Sequence, residues 1–365
     1  CYTVCIFVQG GHSMIPGLIF CVVIGMIAAF LASLQSVMGA PILGLFLGIA
    51  ATNLLPRKFV DKMSAGAGFS SKYLLKAGII LAGGTLSFSS IIGVGASALP
   101  IIIFNICLSF LTAWFIGRRL GVSGNTRILV GGGTAICGGT AIATLSPVIK
   151  AKEDEMAYAM TAIFLFDILA AILWPYAARA MHLSASQYGI LGGLAISDTS
   201  SVTAAAATFD SIMGEGFTAN IQGEALSGGD MAVIVKLTRT VMLIFVTIGV
   251  MVLRQLRGNG SPDTAETGGI IRRAIKSFPV FVLAFLIMAL LNTLIGFSSV
   301  SLGAYKLSTM LSRAYKILIA IALVGVGCKI RLKTLFTDGL RPLLLGGCTW
   351  LALAVSTLCY ALLFE

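Results

Sequence analysis

Long runs of apolar residues alternate with short polar segments along most of the chain. A helix needs about 20 predominantly apolar residues to cross the hydrocarbon core of a bilayer, and runs approaching or exceeding that length recur here. The runs lack the strict alternation that is typical of membrane β-barrel strands. The pattern predicts an all-α membrane protein with about 11 transmembrane helices. The predicted spans are 17–35, 41–55, 73–92, 98–117, 128–149, 157–178, 188–209, 231–253, 279–297, 314–330 and 342–364.

Two of these runs contain residues that interrupt helices. "GGGTAICGGTAIATLSP" at 131–147 combines glycines with a closing proline, and "AISDTSSVTAAAATF" at 195–209 places an aspartate and hydroxyl groups in an apolar run. Non-helical backbone at membrane depth is tolerated only where protein or a water-filled cavity covers it. We therefore expect two interrupted helices, crossing or re-entrant, that face the inside of the bundle. For any single glycine, tight helix packing is the alternative interpretation.

Composition supports a membrane location and gives an orientation. Hydrophobic residues make up 58% of the chain and charged residues 11%, with a mean hydropathy of +1.00. These values indicate an integral membrane protein, and we predict a single polytopic transmembrane domain over residues 1–365. The net charge of +11 comes from basic residues in short loops, which is what membrane orientation requires and which gives no support to nucleic-acid binding. Counting every span as a crossing places the N-terminus in the cytoplasm, the C-terminus outside, "KAKEDE" at 150–155 outside and a linker loop at 254–278 inside.

Two internal echoes suggest an inverted repeat. The first matches residues at one constant offset: Tyr73, Gly83 and Pro100 recur as Tyr315, Gly325 and Pro342. The second matches "GGTAI" at 132–136 with "GGLAI" at 192–196. The spans of the first echo run in opposite directions, as many transporters show. Those of the second would run the same way, unless one segment dips into the membrane and returns.

The interruptions predict a binding site. Half-helices expose N-terminal amide groups that attract anions. Lys236 and Arg239 lie three residues apart on one face of an apolar helix, where an arginine faces a polar cavity or pairs with an acid. The alternative to substrate contact is a structural ion pair with Asp167 or Asp198, the two deep acids, which are also candidates for binding a coupling ion. The predicted substrate-binding residues are Cys137, Gly138, Gly139, Thr140, Ser197, Thr199, Ser200, Ser201, Lys236 and Arg239.

Other chemistries have weaker support. The cysteines lack metal-ligand spacing and only two histidines are present, so we expect no metal site and no cofactor beyond H⁺ or Na⁺ as coupling ion. "SGGD" at 227–230 superficially resembles a motif of aspartyl membrane proteases, but Asp230 falls at a loop edge and no partner motif accompanies it. We therefore do not expect an enzyme.

A family resemblance covers nearly the whole chain from residue 70 onward. "LLKAGIILAGGTLSF", "GGTAICGGTAIATLSPVIKA", "AVIVKLTRTVMLIF" and "GLRPLLL" resemble the YeiH-like sulfate exporter family. The resemblance implies a bacterial inner-membrane secondary transporter with a core and a panel domain. Its crossing-helix arrangement is similar to that of bile-acid/sodium symporters and sodium/proton antiporters. The positions that match the family motif are Ala135, Ile136, Cys137, Gly138, Lys236 and Arg239.

One departure from the family pattern affects the predicted chemistry. Where many members carry a His-Glu pair followed by a glutamine, this chain has Ser197, Asp198 and Ser201. The leading hypothesis is a secondary active transporter of a small anion (sulfate, sulfonate or carboxylate) by alternating access, coupled to H⁺ or Na⁺. The alternative is a cation/proton antiporter that uses Asp167 and Asp198; an intramembrane enzyme is third. The expected partners are the anion and the lipid bilayer, with a homodimer left open.

Overall fold

The structure is a computed structural model that describes residues 11–34, 40–214, 216–221, 223–256, 280–297, 300–302, 305–329 and 340–363. Within these ranges the first helices are α1 (Gly11–Leu34), α2 (Ala40–Leu54), α3 (Arg57–Phe69), α4 (Leu75–Gly83), α5 (Phe88–Arg119), α6 (Gly124–Ala135), α7 (Gly139–Ile149), α8 (Glu153–Ala180), α9 (Ala185–Ala195) and α10 (Thr199–Met213). The remaining helices are α11 (Gly228–Val241), α12 (Leu243–Leu256), α13 (Val280–Ile295), α14 (Leu307–Gly327) and α15 (Leu340–Leu363).

The helices agree with the expected class of protein. Six helical segments of the described chain are long and apolar enough to cross a membrane, and several shorter apolar helices accompany them. The longest, α5, has 32 residues, and α8 has 28. These lengths exceed the roughly 20 residues that a bilayer requires. The expectation of an all-α membrane protein is confirmed at this level, and the count of 11 crossings stays a prediction.

Four short strands were not anticipated from the sequence. They form two antiparallel hairpins, β1 (Thr218–Ile221) with β2 (Glu224–Ser227), and β3 (Ser301–Leu302) with β4 (Tyr305–Lys306). The predicted linker at 254–278 also needs a correction, since α12 continues to Leu256. Residues 257–278 of that predicted loop lie outside the described residues.

The third predicted span, 73–92, is interrupted. A π-helical turn, Ser70–Leu74, leads into α4, which ends at Gly83, and α5 begins after four intervening residues. The main-chain amide of Ser87 donates to Glu224 at 3.2 Å, and that of Phe88 donates to the Thr293 hydroxyl at 2.7 Å. These side chains satisfy amides that a new helix leaves unpaired at its start. The boundary that hydropathy placed between residues 92 and 98 is therefore wrong, because α5 is continuous there.

The chain divides into two compact units, which are described separately. The first unit comprises Cys1–Gly93, Thr203–Gly229 and Phe281–Lys333, and the second comprises Val94–Val202, Asp230–Val280 and Thr334–Glu365. In the first unit, α14 packs against α2 so closely that a Cβ added at Gly44 would lie 2.9 Å from the Ala320 carbonyl oxygen. Small residues permit this approach between backbones, which is the usual means of helix association in membranes.

In the second unit, α6 and α7 form a re-entrant hairpin. Leu129 of α6 and Leu145 of α7 share one apolar cluster, and a Cβ added at Gly133 would lie 3.1 Å from Ile142. At the open end of the hairpin, the Ser123 hydroxyl donates to Glu155 at 2.6 Å. The residues before α6 and after α7 therefore lie at the same end of this unit.

This hairpin corrects the predicted topology. The run 128–149 folds back on itself, so "KAKEDE" at 150–155 lies at the same end of this unit as Ser123 and not at the opposite end. The half-helices have 12 and 11 residues, which give lengths of about 18 and 16 Å, too short for either to cross a bilayer alone. Arg341, at the start of α15, lies at this end too, 3.6 Å from a Cβ added at Gly121.

Candidate functional site

Both predicted interruptions are present. The first helix, α6, ends at Ala135, and α7 begins at Gly139 after Gly138 adopts a φ of +63°. The second, α9, ends at Ala195, and α10 begins at Thr199. Gly138 occupies the left-handed region of backbone space that other residues rarely adopt, so glycine is required there for the chain to turn back.

The two interruptions approach along α8 from opposite directions. Ser123, just before α6, contacts Glu155 near the start of α8, and Gly133, later in α6, lies beside Ile163, later in α8. The contacts advance in the same direction along both helices, so α6 runs parallel to α8. The short turn after α8 reverses the chain, and Ser197 then meets Asp167 in the middle of α8, so α9 runs antiparallel to it. The two segments of the second echo therefore run in opposite directions within this unit, and the inverted repeat itself stays a prediction.

Direct contacts join the interruptions. The Ser197 hydroxyl donates to the carbonyl oxygen of Thr134 at 3.2 Å. A Cβ added at Gly138 would lie 3.7 Å from the Cβ atom of Asp198. The predicted residues at 137–140 and 197–201 are thus brought to one place, although more than fifty residues separate them in the sequence.

Asp167 holds the second interruption from α8. Its two carboxylate oxygens accept hydrogen bonds from the main-chain amides of Ser197 and Asp198, each at 2.6 Å. The residue is 1% exposed. A buried carboxylate is tolerated where hydrogen bonds replace its water, and two amides at the start of a helix provide them. Asp167 therefore fixes the backbone immediately before α10.

Lys236 bridges the two interruptions on their carbonyl side. Its ammonium group donates to the carbonyl oxygen of Ile136 at 2.6 Å and also to that of Ser197. The side chain is fully buried. One cation thus compensates a carbonyl from each break, where no helical amide is available as a partner.

Arg239 caps the ends of both half-helices that lead into the breaks. Its Nε donates to the Ala135 carbonyl oxygen at 2.5 Å and one terminal nitrogen to that of Leu194 at 2.6 Å, while the other reaches the carbonyl of Thr134. A helix C-terminus carries about half a negative charge, so a cation there is favourable. Within the part of the chain that the structure describes, these hydrogen bonds all end on main-chain carbonyls, which supports a capping role for Arg239; the alternative of an ion pair with Asp167 or Asp198 stays a prediction.

Asp198 begins α10. One of its oxygens accepts from the main-chain amide of Ser200 at 2.8 Å and from the Ser200 hydroxyl. This is the N-cap arrangement that favours aspartate before a helix. Unlike Asp167, Asp198 is only partly buried. Of the two helix N-termini in the site, that of α10 is capped by a side chain, and the capping carboxylate is partly accessible.

The remaining predicted residues differ in exposure. Cys137 is 2% exposed and packs in an apolar cluster with Ile136 and Leu243. Thr140, in the first turn of α7, is exposed. Those of intermediate burial are Gly139, Thr199 and Ser201.

Sequence reasoning missed two residues that shape the site. The Trp350 indole on α15 donates to the Ala195 carbonyl oxygen at 3.1 Å, adding a cap to α9. Glu155 closes the open end of the re-entrant hairpin. The sequence gave only a weak indication of the role of Trp350. A tryptophan in an apolar span needs an acceptor for its N–H group, but the sequence does not indicate which carbonyl accepts. The "SGGD" motif starts α11, where Asp210 accepts from the Gly229 amide and the Ser227 hydroxyl.

Comparison with known proteins identifies the family. The chain is 36% identical over 344 residues to a UPF0324 membrane protein of Streptococcus pyogenes serotype M6, covering 94% of this chain and 95% of the relative. A UPF0324 membrane protein of Fusobacterium nucleatum is 32% identical over 352 residues, covering 94% and 96%. The profile of the family described as conserved hypothetical protein 698 matches residues 16–346. The YeiH-like family that the motifs resemble is this family. The chain therefore belongs to the UPF0324 family of membrane proteins.

Proposed function

We propose that the chain is a secondary active transporter of a small anion, of the sulfate, sulfonate or carboxylate type, working by alternating access. One observation carries the proposal: two interrupted helices arrive from opposite directions and meet within one unit, at Gly138 and Asp198. In membrane transporters, discontinuous helices of this kind form the substrate site, and irregular backbone persists at depth because it lines a cavity.

The distribution of charge favours an anion. Lys236 and Arg239 compensate the carbonyl ends of α6 and α9, so the negative ends of these helices are neutralised within the protein. The positive ends of α7 and α10 lie on the other side of each break, with Thr140 and Ser201 in their first turns. Helix N-termini attract anions through free amides and the helix dipole. The positive charges of Lys236 and Arg239 add to the positive potential of these helix N-termini. Their hydrogen bonds are made to main-chain carbonyls.

Asp198 is the proposed coupling site. Its carboxylate accepts hydrogen bonds from the main-chain amide and the hydroxyl of Ser200, which are the donors that a bound anion would need at the start of α10. Protonation of Asp198 would weaken its hold on both donors and remove the repulsion toward an incoming anion. This competition supports coupling of anion binding to H⁺. Asp167 acts as a positioning residue, because both of its oxygens hold the backbone of the break.

The cation/proton antiporter remains the second candidate. The observation that favours it is the partly buried carboxylate of Asp198 beside the Ser200 hydroxyl, since carboxylate and hydroxyl oxygens are ligands that suit Na⁺. In that mechanism Lys236 and Arg239 would only stabilise the fold and would not contact the substrate.

The proposed location is the bacterial inner membrane. Arg118, Arg119 and Arg127 lie in or beside the loop that precedes α6, and Arg341 lies near the same end of the second unit. The positive-inside rule assigns this end to the cytoplasm.

A ligand screen tests the proposal. The purified protein is unfolded by heat in the presence of sulfate, sulfite, taurine, dicarboxylates or Na⁺, since a ligand that binds only the folded state raises its stability by about 2.7 kcal/mol at 100 times its Kd. We expect an anion to stabilise the protein more strongly at low pH. Ser201→Ala, in the first turn of α10, should reduce the effect, and Ser97→Ala in α5 serves as control. Stabilisation by Na⁺ with no effect of any anion would favour the antiporter.

A further inference from the structure

Four arginines from three helices surround the short loop between α5 and α6. They are the last two residues of α5, one residue in the first turn of α6 and the second residue of α15: Arg118, Arg119, Arg127 and Arg341. All four belong to the second unit. They lie outside the two helix interruptions, so a ligand bound by them would occupy a different site from the proposed transport substrate.

Arg127 is held in place by its aliphatic stem. A Cβ added at Gly117 would lie 2.5 Å from its Cγ atom and 2.7 Å from its Cδ atom, so the stem fills the space that a side chain would need on α5. The guanidinium group reaches the start of its own helix, where one terminal nitrogen lies 3.6 Å from a Cβ added at Gly124. A side chain that is already fixed by packing loses less conformational freedom when it binds a ligand.

One donor of Arg127 is unpaired in the described chain. Its Nε atom is buried and has no hydrogen-bond partner there. An unpaired buried donor is unfavourable, and so is a positive charge in the first turn of a helix, where the amide groups already produce a positive potential. Glu155, the acid at the base of the hairpin, accepts hydrogen bonds from Ser123 and Asn125. An external anion beside Arg127 would therefore be stabilising.

Arg341 approaches the same loop from α15. One of its terminal nitrogens lies 3.6 Å from a Cβ added at Gly121, three residues before Gly124. Gly121 has a φ of +69°, which allows the tight turn between α5 and α6. Arg341 itself is exposed. Two guanidinium groups thus flank one short turn, and their planar donor sets suit the oxygens of a phosphate group.

Exposed apolar side chains lie directly beside the arginines. They are Trp114 and Phe115 on α5, and Leu340 and Leu344 on α15. Each of the two aromatic rings contacts the guanidinium group of the arginine four residues later, at 5.9 and 4.7 Å from the ring centroid. Exposed aromatic residues next to basic residues are typical of the membrane interface. A ligand with acyl chains could contact these apolar side chains while its charged group meets the arginines.

We propose that Arg127 and Arg341 bind the phosphate group of an anionic phospholipid, whose acyl chains lie along the exposed apolar residues of α5 and α15. Basic pockets between transmembrane helices recognise anionic headgroups in this way. A water-soluble phosphate would use the two arginines but not the apolar surface beside them. The bound headgroup would connect the end of α5 with the starts of α6 and α15, and it would stabilise the base of the hairpin that carries the first interruption.

The first test measures heat unfolding of the purified full chain in a neutral detergent. We expect dioleoylphosphatidylglycerol to raise the unfolding temperature. Dioleoylphosphatidylcholine, which has the same acyl chains and no net charge, should have little effect. Arg127→Gln and Arg341→Gln should each raise the lipid concentration needed by at least about fivefold, which corresponds to the loss of one basic residue at an anionic surface. The matched control is Arg179→Gln, an exposed arginine at the far end of α8.

Three outcomes of this test would overturn the proposal. They are equal stabilisation by the two lipids, an unchanged response of the folded Arg341→Gln variant, and an equal loss of response in Arg179→Gln. Inorganic phosphate and glycerol 3-phosphate are measured in parallel. If either stabilised the protein as strongly as the lipid did, and if Arg341→Gln removed that effect, the site would belong to a small soluble anion and the lipid would be excluded.

A second measurement uses the unaltered chain in lipid nanodiscs. Phenylglyoxal modifies exposed arginines, and mass spectrometry quantifies the product at Arg341 and at Arg179. Nanodiscs that contain phosphatidylglycerol should protect Arg341 relative to nanodiscs of phosphatidylcholine alone, whereas Arg179 should react equally in both. Equal modification of Arg341 in the two membranes would exclude the site, and so would equal protection of both arginines. No transported anion is present, so the outcome is independent of the proposed function.

Discussion

Ser123 donates a hydrogen bond of 2.6 Å to Glu155, although the whole of α6 and α7 lies between them in the sequence. The contact closes the hairpin at its base, so the residues before α6 and the start of α8 lie at the same end of the second unit. The directions of α6 and α9, which make their breaks meet, depend on the same reversal.

The re-entrant hairpin can be tested by labelling. Single cysteines at Gly124 and Lys152, before α6 and after α7, should both react with a membrane-impermeant maleimide from one side of the membrane. A cysteine at Ala180, the far end of α8, should react from the other side, and the unsubstituted chain provides the background. Opposite accessibility of positions 124 and 152 would show that the segment crosses.

Arg239→Ala should destabilise the protein strongly. The substitution leaves the carbonyls of Thr134, Ala135 and Leu194 without their donor, and each unpaired buried group costs about 1 to 3 kcal/mol. Allowing for relaxation, we expect a loss of about 3 to 5 kcal/mol, comparable to breaking a buried ionic contact. The measurement is unfolding in detergent, with the exposed Arg179→Ala as control.

A double substitution distinguishes this role from an ion pair. Because Asp167 bonds to amides and Arg239 to carbonyls, Asp167→Asn should add its own cost to that of Arg239→Ala. Recovery of stability in the double variant would mean that the two charges compensate each other directly.

Asp198→Asn should preserve folding and change coupling. An asparagine side chain retains an oxygen that accepts from Ser200, so the start of α10 keeps its cap. Its charge no longer changes with pH, so anion uptake into proteoliposomes should lose most of its pH dependence. Asp154→Asn, at the start of α8, is the control for a charge change away from the breaks. An unaltered pH profile would assign coupling to another residue.

Gly138→Ala tests the turn of the first interruption. A side chain at a φ of +63° costs about 1 to 2 kcal/mol. The added methyl would also lie 3.5 Å from Ile163 and 3.7 Å from Asp198, which narrows the space between the breaks. We expect lower thermal stability and weaker ligand stabilisation. Gly249→Ala in α12 has open space around it and should be neutral or stabilising. Equal stability of the two variants would contradict the role of Gly138.

Hydropathy and composition were enough to predict a helical membrane protein, and the glycine-rich run at 131–147 and the polar run at 195–209 were enough to predict the two interruptions. These features are local. Unpaired backbone groups in lipid cost much free energy, so a membrane helix is interrupted only where the local sequence favours it. Glycine, proline and hydroxyl residues indicate such places.

The direction of each segment and the partners of its charges were decided only by the tertiary structure. An apolar run of 22 residues, such as 128–149, is compatible with a crossing and with a hairpin, and the two are distinguished by tertiary contacts, such as that of Ser123 with Glu155. Similarly, Lys236 and Arg239 in an apolar run predict buried polar partners, but the sequence does not indicate which groups these are. Every residue carries the same carbonyl group, so a cation that binds the main chain selects its partners by the geometry of the breaks and not by residue type.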